Sequence, residues 1–202
     1  MPKVTQEYME ARRRQILDAA RRCFLRDGFH STSMQDLFTE SGLSAGAVYR
    51  HFASKNEVIT AIVEENMRDV LAMVHSAARN RPSSSVGALM ADVLDIVNTK
   101  TAEQNIAGLS VLAWSESLRN PSLAAQFVDL MSQMRSALTD VIREHQQSGT
   151  LTREASPEAI AAALICILPG YILQLAMGET KTMEEVPGAF RALWPNSAAP
   201  SD

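Results

Sequence analysis

Only two cysteines occur in the 202 residues, Cys23 and Cys166, far apart and in no Cys-x-x-Cys or Cys/His cluster. That spacing gives no disulfide framework and no thiolate metal site, and is read as buried, reduced thiols in a cytoplasmic setting. Catalytic constellations are missing as well. The histidines His30, His51, His75 and His145 are scattered, no His-Glu-x-x-His pair occurs, and no glycine-rich phosphate loop follows a strand-like run. The pattern therefore points away from an enzyme, a metal or a bound cofactor. The opening "MPKVTQEYMEARRR" has no apolar run of the kind a secretory signal needs. Glycine and proline are sparse, nine and eight, and an excess of positive charge is lacking too, the formal net charge being −4.

The intervals between those few breakers are filled with Ala, Leu, Met, Glu, Arg and Gln, which lose little rotamer freedom in helices. The expected fold is all-α, and the 46% hydrophobic content suffices for a sizeable core. Ile16, Leu17, Ala20 and Phe24 recur at helical spacing from Glu10 to Arg26, and Asp27-Gly28 supplies a stop. A short second helix opens at Thr32-Ser33, where Thr32 with Gln35 fits a capping box, and ends at Ser41-Gly42. A third follows Ser44 and runs to about Phe52. A fourth starts at Ser54, with Ser54 and Glu57 as a second capping box, and continues to about Ala78; at 1.5 Å per residue its length is on the order of 35 Å. After "RNRPSSS", helices are expected near 85–102, 104–118, 122–147, 157–177 and 182–194, with Pro121, Ser148-Gly149, Pro157, Gly178 and Pro187 as boundary marks and a disordered tail "PNSAAPSD".

One stretch, "AIAAALICILPGYILQLAM" at 159–177, has nearly the length of a bilayer span. Pro169-Gly170 interrupts it, five alanines weaken its hydrophobicity, and neither flank carries an adjacent Lys or Arg. It is read as a buried core or dimer helix, with no membrane partner.

Charge is unevenly divided. Residues 1–60 hold nine Lys/Arg and seven Asp/Glu, whereas the remainder is acidic. Within that weakly basic head lies "GLSAGAVYRHFASK", residues 42–55. On a helix over 45–52, Val48 and Phe52 define a buried face. Arg50 and Gly46 then point away, Ala47 lies beside them, and Tyr49 and His51 sit at the edges. Small residues let a backbone approach a surface, an arginine offers two parallel donors to a guanine edge, and an alanine can meet a thymine methyl. Two short helices joined by a Gly-containing turn, the second presenting this face, make a helix-turn-helix suited to the major groove of DNA. Read alone, the Tyr-Arg-His triplet would also fit an ordinary solvated face.

Residues 12–58, "RRRQILDAARRCFLRDGFHSTSMQDLFTESGLSAGAVYRHFASKNEV", resemble the DNA-binding domain of the TetR/AcrR family of bacterial transcriptional repressors. Phe24, Gly28-Phe29, Thr32, Gly42-Leu43-Ser44, Gly46, Tyr49, His51-Phe52 and Ser54-Lys55 carry the resemblance. It implies phosphate contacts from Thr32, Ser33, Ser44, Tyr49, His51 and Lys55, and groove contacts from Ala45, Gly46, Ala47 and Arg50. Two departures stand out: Phe38 replaces a usual alanine, and Ala45 and Ala47 replace longer or hydroxylated residues, which leaves Arg50 with much of the base readout.

The resemblance also implies a DNA-binding domain over 1–55 and a helical ligand-binding and dimerisation domain over 56–202. One such helix discriminates by about 1–3 kcal/mol, whereas operator specificity needs roughly 4–10 kcal/mol. A homodimer on a palindromic operator is therefore expected, with the last two helices as the dimer surface: Ala161, Ala162 and Ala163 allowing close approach, Leu164, Ile165 and Ile172 supplying apolar area. A small apolar or amphipathic effector would sit among Met67, Met73, Trp114, Phe127, Met131, Met134, Tyr171 and Leu175, residue types that adapt to varied ligands but also build plain cores. The alternatives are a helical protein-interaction adaptor and a regulator that senses oxidation through Cys23 or Cys166.

Overall fold

Capping side chains and helix-forming runs resolve into nine α-helices among the described residues: α1 Gln6–Ser31, α2 Met34–Ser41, α3 Ala45–Tyr49, α4 Lys55–Asn80, α5 Val86–Gln104, α6 Ile106–Ser117, α7 Pro121–Gln147, α8 Pro157–Ala176 and α9 Thr180–Leu193. The structure, a computed structural model, describes residues 6–80 and 85–194, apart from the side chains at 67, 73–75 and 77–80. The expected tail at 195–202 and most of the expected linker lie outside the described residues.

Each boundary has a local cause. Regular helix breaks at Gly28, whose φ of 79° suits glycine, and Phe29 then turns back edge-on against Phe24 at 4.8 Å. The capping box at α2 is formed by Ser33 and Asp36 rather than Thr32 and Gln35: the Ser33 amide donates to Asp36 at 2.8 Å, and the Asp36 amide returns a bond to the Ser33 hydroxyl. Thr32 is instead buried, its hydroxyl donating 2.8 Å to the Gly28 carbonyl at the broken end of α1. At Ser54 the hydroxyl receives the Glu57 amide, but the Glu57 carboxylate reaches past it to the Ala53 amide. Asn105, left-handed at φ 51°, closes α5 and caps α6 through its side-chain oxygen, so the two helices meet at a sharp corner. Pro121 and Pro157 occupy first turns as expected; Pro187 lies inside α9, buried, rather than at its boundary.

Two apolar cores result among the described residues. One gathers Ile16, Leu17, Phe24, Leu37, Val48 and Phe52 with the first turns of α4, and extends to Leu109 and Ala113 of α6 and Leu123 of α7. The other joins α5, α7, α8 and α9. α5 and α9 come close because residue 87 is glycine; a Cβ there would collide with the Phe190 carbonyl.

α8 is long and apolar enough to cross a membrane by length and composition, but here one of its faces packs on α5, α6, α7 and α9. That face holds Ala161, Leu164, Ile165, Leu168 and Ile172. The dimer surface expected from Leu164, Ile165 and Ile172 is thereby corrected: those side chains belong to the subunit's own core. The stripe left exposed along α8 and its closing residue is Ala159, Ala163, Cys166, Gly170, Leu173 and Met177, spaced alternately four and three residues apart. Cys166 is exposed, against the expectation of burial, whereas Cys23 is buried.

Candidate nucleic-acid interface and cavity

The short helix α3 is held by its apolar side. Val48 and Phe52 are 0% and 4% exposed, and Phe52 lies under the Arg13 guanidinium at 5.5 Å. Ser44, exposed, caps α3 by accepting the Ala47 amide at 3.3 Å, so its own hydroxyl hydrogen stays available to an outside acceptor. The opposite flank is open: Ala45, Gly46, Tyr49 and Arg50 are exposed, Ala47 and His51 half-buried. Arg50 makes no hydrogen bond or ion pair with a described residue. The remaining head cations are largely engaged. Arg13 and Arg21 of α1 each reach Glu65 of α4 at 2.6 Å, and Arg22 and Arg26 share Glu40 of α2. With the Gln15 amide donating 2.8 Å to the Ser41 carbonyl, these contacts fix α1 against α2 and α4.

Phe38 sets Tyr49 in place. The two rings meet edge to face at 5.4 Å, while Tyr49 remains 51% exposed. A larger side chain at residue 38 thus props the tyrosine that borders the reading flank.

Three of the expected phosphate contacts change role. Thr32 is turned inward, as described above. Ser33 is exposed, but its hydroxyl donates 2.7 Å to Asp36, whose carboxylate its hydrogen bonds hold below the usual range. Lys55 directs its ammonium to the carbonyls of Phe29, His30 and Thr32 at 2.7, 3.3 and 2.8 Å. Three donors thus meet three carbonyls, and Lys55 closes the α1–α2 corner instead of reaching outward.

Gly46 has ordinary helical geometry, and a Cβ built on it meets nothing within 4 Å. Nothing inside the subunit requires glycine there, although glycine in a helix costs roughly 0.5–1 kcal/mol relative to alanine. Gly46→Ala is therefore expected to raise the melting temperature or leave it unchanged while weakening DNA binding at least several-fold. Thermal unfolding and a duplex titration on the same preparation read both.

His51 titrates below its usual value of about 6.5, first because burial disfavours its charge and then because Arg50 and Arg13 stand near. A phosphate beside it would favour the charged form, so the DNA complex binds more protons than the free protein. Affinity for DNA is then expected to rise as pH falls below neutrality, by up to about tenfold per unit of pKa difference. His51→Gln should flatten that slope; an unchanged slope would remove His51 from the interface.

Deeper in the chain, α4, α6, α7 and α8 enclose a cavity of about 530 Å³. Four of the expected ligand residues, Trp114, Phe127, Met131 and Met134, line it. Tyr171 and Leu175 do not: both are buried in the second core, where the Tyr171 hydroxyl lies 2.6 Å from the Asn98 side-chain oxygen and 2.8 Å from the Met183 carbonyl. Met67 and Met73 lie outside the described side chains. Asn66, Ser110, Ser117 and Pro169 also line the cavity, although neither their type nor their spacing marks them in the sequence. No described lining residue is charged. The Cys23 thiol is raised above its ordinary pKa by burial and then by Glu40, which suppresses the thiolate that an oxidation sensor needs.

The model of the bacterial regulatory proteins, tetR family, matches residues 16–62, and that of the BetI-type transcriptional repressor, C-terminal, matches residues 86–192. Among curated proteins, the chain is 29% identical over 182 residues to the HTH-type transcriptional repressor Rv1474c of Mycobacterium tuberculosis, covering 89% of this chain and 90% of that protein. It is 26% identical over 188 residues to the HTH-type transcriptional repressor AcnR of Corynebacterium diphtheriae, covering 92% and 93% respectively. Salmonella enterica GusR has the same fold with a TM-score of 0.73 at 24% identity, over 95% of this chain and 98% of that one. A SmeT–triclosan complex follows at 0.70 and 21%, with the same coverage.

Proposed function

Because the chain belongs to the TetR family of bacterial regulatory proteins and is a DNA-binding transcriptional regulator, we propose that it acts as a repressor that grips a palindromic operator as a homodimer and lets go when a small molecule fills the cavity. The observation that carries the DNA half is the exposed flank of α3, on which Arg50 stands without a partner among the described residues, beside Ala45, Gly46 and Ala47. Arg50 reads a base edge, while Ser44, Tyr49 and His51 meet phosphates at the rims. In this reading residues 1–55 form the DNA-binding domain and 56–202 the ligand-binding and dimerisation domain, and the protein works in the cytoplasm.

Dimerisation rests on the α8 stripe. Alternating four- and three-residue spacing keeps Ala159, Ala163, Cys166, Gly170, Leu173 and Met177 on one line, the seam along which two helices pack. The small residues at its centre allow close approach.

Release follows from what α6 touches. One side of α6 lines the cavity through Ser110, Val111 and Trp114. Its other side meets α1: Gly108 is packed so closely that a Cβ would stand 2.9 Å from Leu25, and His30 lies 3.5 Å from Glu116 and 3.2 Å from Arg119. A ligand that prefers one position of α6 therefore biases α1, and with it the head, by its differential affinity for the two states. The SmeT–triclosan complex, a protein of the same fold with a small molecule bound, supports such a site. Selection of bound fragments from random duplex DNA tests the proposal. It should return a palindrome with half-site centres about 34 Å apart or somewhat more; recovery of fragments without shared sequence would reject it.

A further inference from the structure

Pro169 stands within α8, between Leu168 and Gly170, and has no amide hydrogen. The carbonyl of Ile165, one turn earlier, therefore loses its i→i+4 partner, and the proline ring crowds it off the helix axis. Ile165 and Pro169 both line the cavity. Ile165 is buried and Pro169 exposed, and the exposed Leu118 lines the same cavity. Asn66, Ser110 and Ser115 also line the cavity without a described hydrogen bond, but each can donate as well as accept, whereas the Ile165 carbonyl only accepts; Ser117 donates its hydroxyl 2.8 Å to the Trp114 carbonyl. An acceptor deprived of its i→i+4 donor in a largely apolar wall favours a ligand that brings a donor.

We propose that the cavity takes an uncharged, largely apolar molecule, aromatic or alicyclic, carrying a hydroxyl or N–H group that donates to the Ile165 carbonyl freed by Pro169. This rests on the reading of the cavity as the effector site and specifies its ligand. Charge is excluded because no described lining residue would compensate it. Ring character suits the Trp114 and Phe127 walls, with Met131 and Met134 adapting to its outline.

Three probes of one shape test the assignment in the full-length protein by titration calorimetry: 4-phenylphenol, 4-methoxybiphenyl and biphenyl-4-carboxylate. The phenol is expected to bind about three- to tenfold more tightly than the methyl ether, and the carboxylate at least a hundredfold more weakly than either. Pro169→Ala returns an N–H to α8 and occupies the Ile165 carbonyl. It should erase the preference for the phenol, and the ratio of phenol to ether affinity reads loss of the acceptor separately from a general change in the cavity, which moves both affinities together. Equal binding of phenol and ether by the unaltered protein, or a preference that survives in Pro169→Ala, overturns the donor assignment alone. Tight carboxylate binding overturns the neutral class. Failure of all three probes to bind overturns the cavity reading as well.

Discussion

Replacing Arg50 with alanine is expected to leave the fold intact and to erase preference at one base pair in each half-site. The residue is exposed and without a described partner, so its removal opens no cavity and orphans no buried group. Its loss on DNA is of another order, because Ala45, Gly46 and Ala47 offer the bases almost no hydrogen-bonding side chain. A bidentate arginine–guanine pair discriminates by about 1–3 kcal/mol, and a two-fold symmetric complex holds it twice. Titration of operator variants against Arg50→Ala should therefore show the ranking at that position collapse while general affinity for DNA falls less. If the ranking survives, the bases are read by another part of the head.

An arginine in place of Gly170 is expected to have a still larger effect on affinity. Gly170 sits midway along the α8 stripe, and a Cβ there meets nothing within 4 Å of its own subunit. The substitution thus spares the monomer, and arginine is the better helix former. In the dimer it would set two cations against each other on a close-packed seam, where burying unpaired charge is strongly unfavourable. Sedimentation should show monomers with an unchanged helical spectrum. Operator binding should fall toward the non-specific range, about 10⁻⁴–10⁻⁶ M. A dimer that persists would move the interface to another face.

Those two expectations differ in how far the sequence already contained them. The face of α3 was legible because its pattern is unambiguous: Val48 and Phe52 are a turn apart, and polar or small residues fill the rest. α8 was not. With apolar side chains on nearly every position, periodicity cannot say which side faces inward, and Leu164, Ile165 and Ile172, expected to supply apolar area to a dimer surface, belong to the subunit's own core. Family position misled at Thr32 and Lys55 for a different reason. Both are long or branched polar groups beside a broken helix end, and the carbonyls exposed when Gly28 breaks α1 outcompete solvent for their donors. The capping box shifted by one residue for the same cause, since Thr32 was already turned toward Gly28.

The cavity was half legible. Trp114, Phe127, Met131 and Met134 were found by residue type, whereas Tyr171 shows the weakness of that criterion. Its ring is as large, but its hydroxyl is satisfied by Asn98 and Met183 on α5 and α9, and burial pushes its pKa up. Only packing distinguishes a residue that lines a space from one that fills it.

The central claim is that α3 lies in the major groove with Arg50 against a guanine, and chemical protection of the bound operator tests it most directly. Dimethyl sulfate methylates guanine N7 in the major groove and adenine N3 in the minor groove, so one reagent reports both sides of the duplex. The account predicts protection of a symmetric pair of guanine N7 positions about one helical turn apart, lost from both half-sites in Arg50→Ala. Protection confined to adenine N3, or guanines equally shielded by Arg50→Ala, would contradict it.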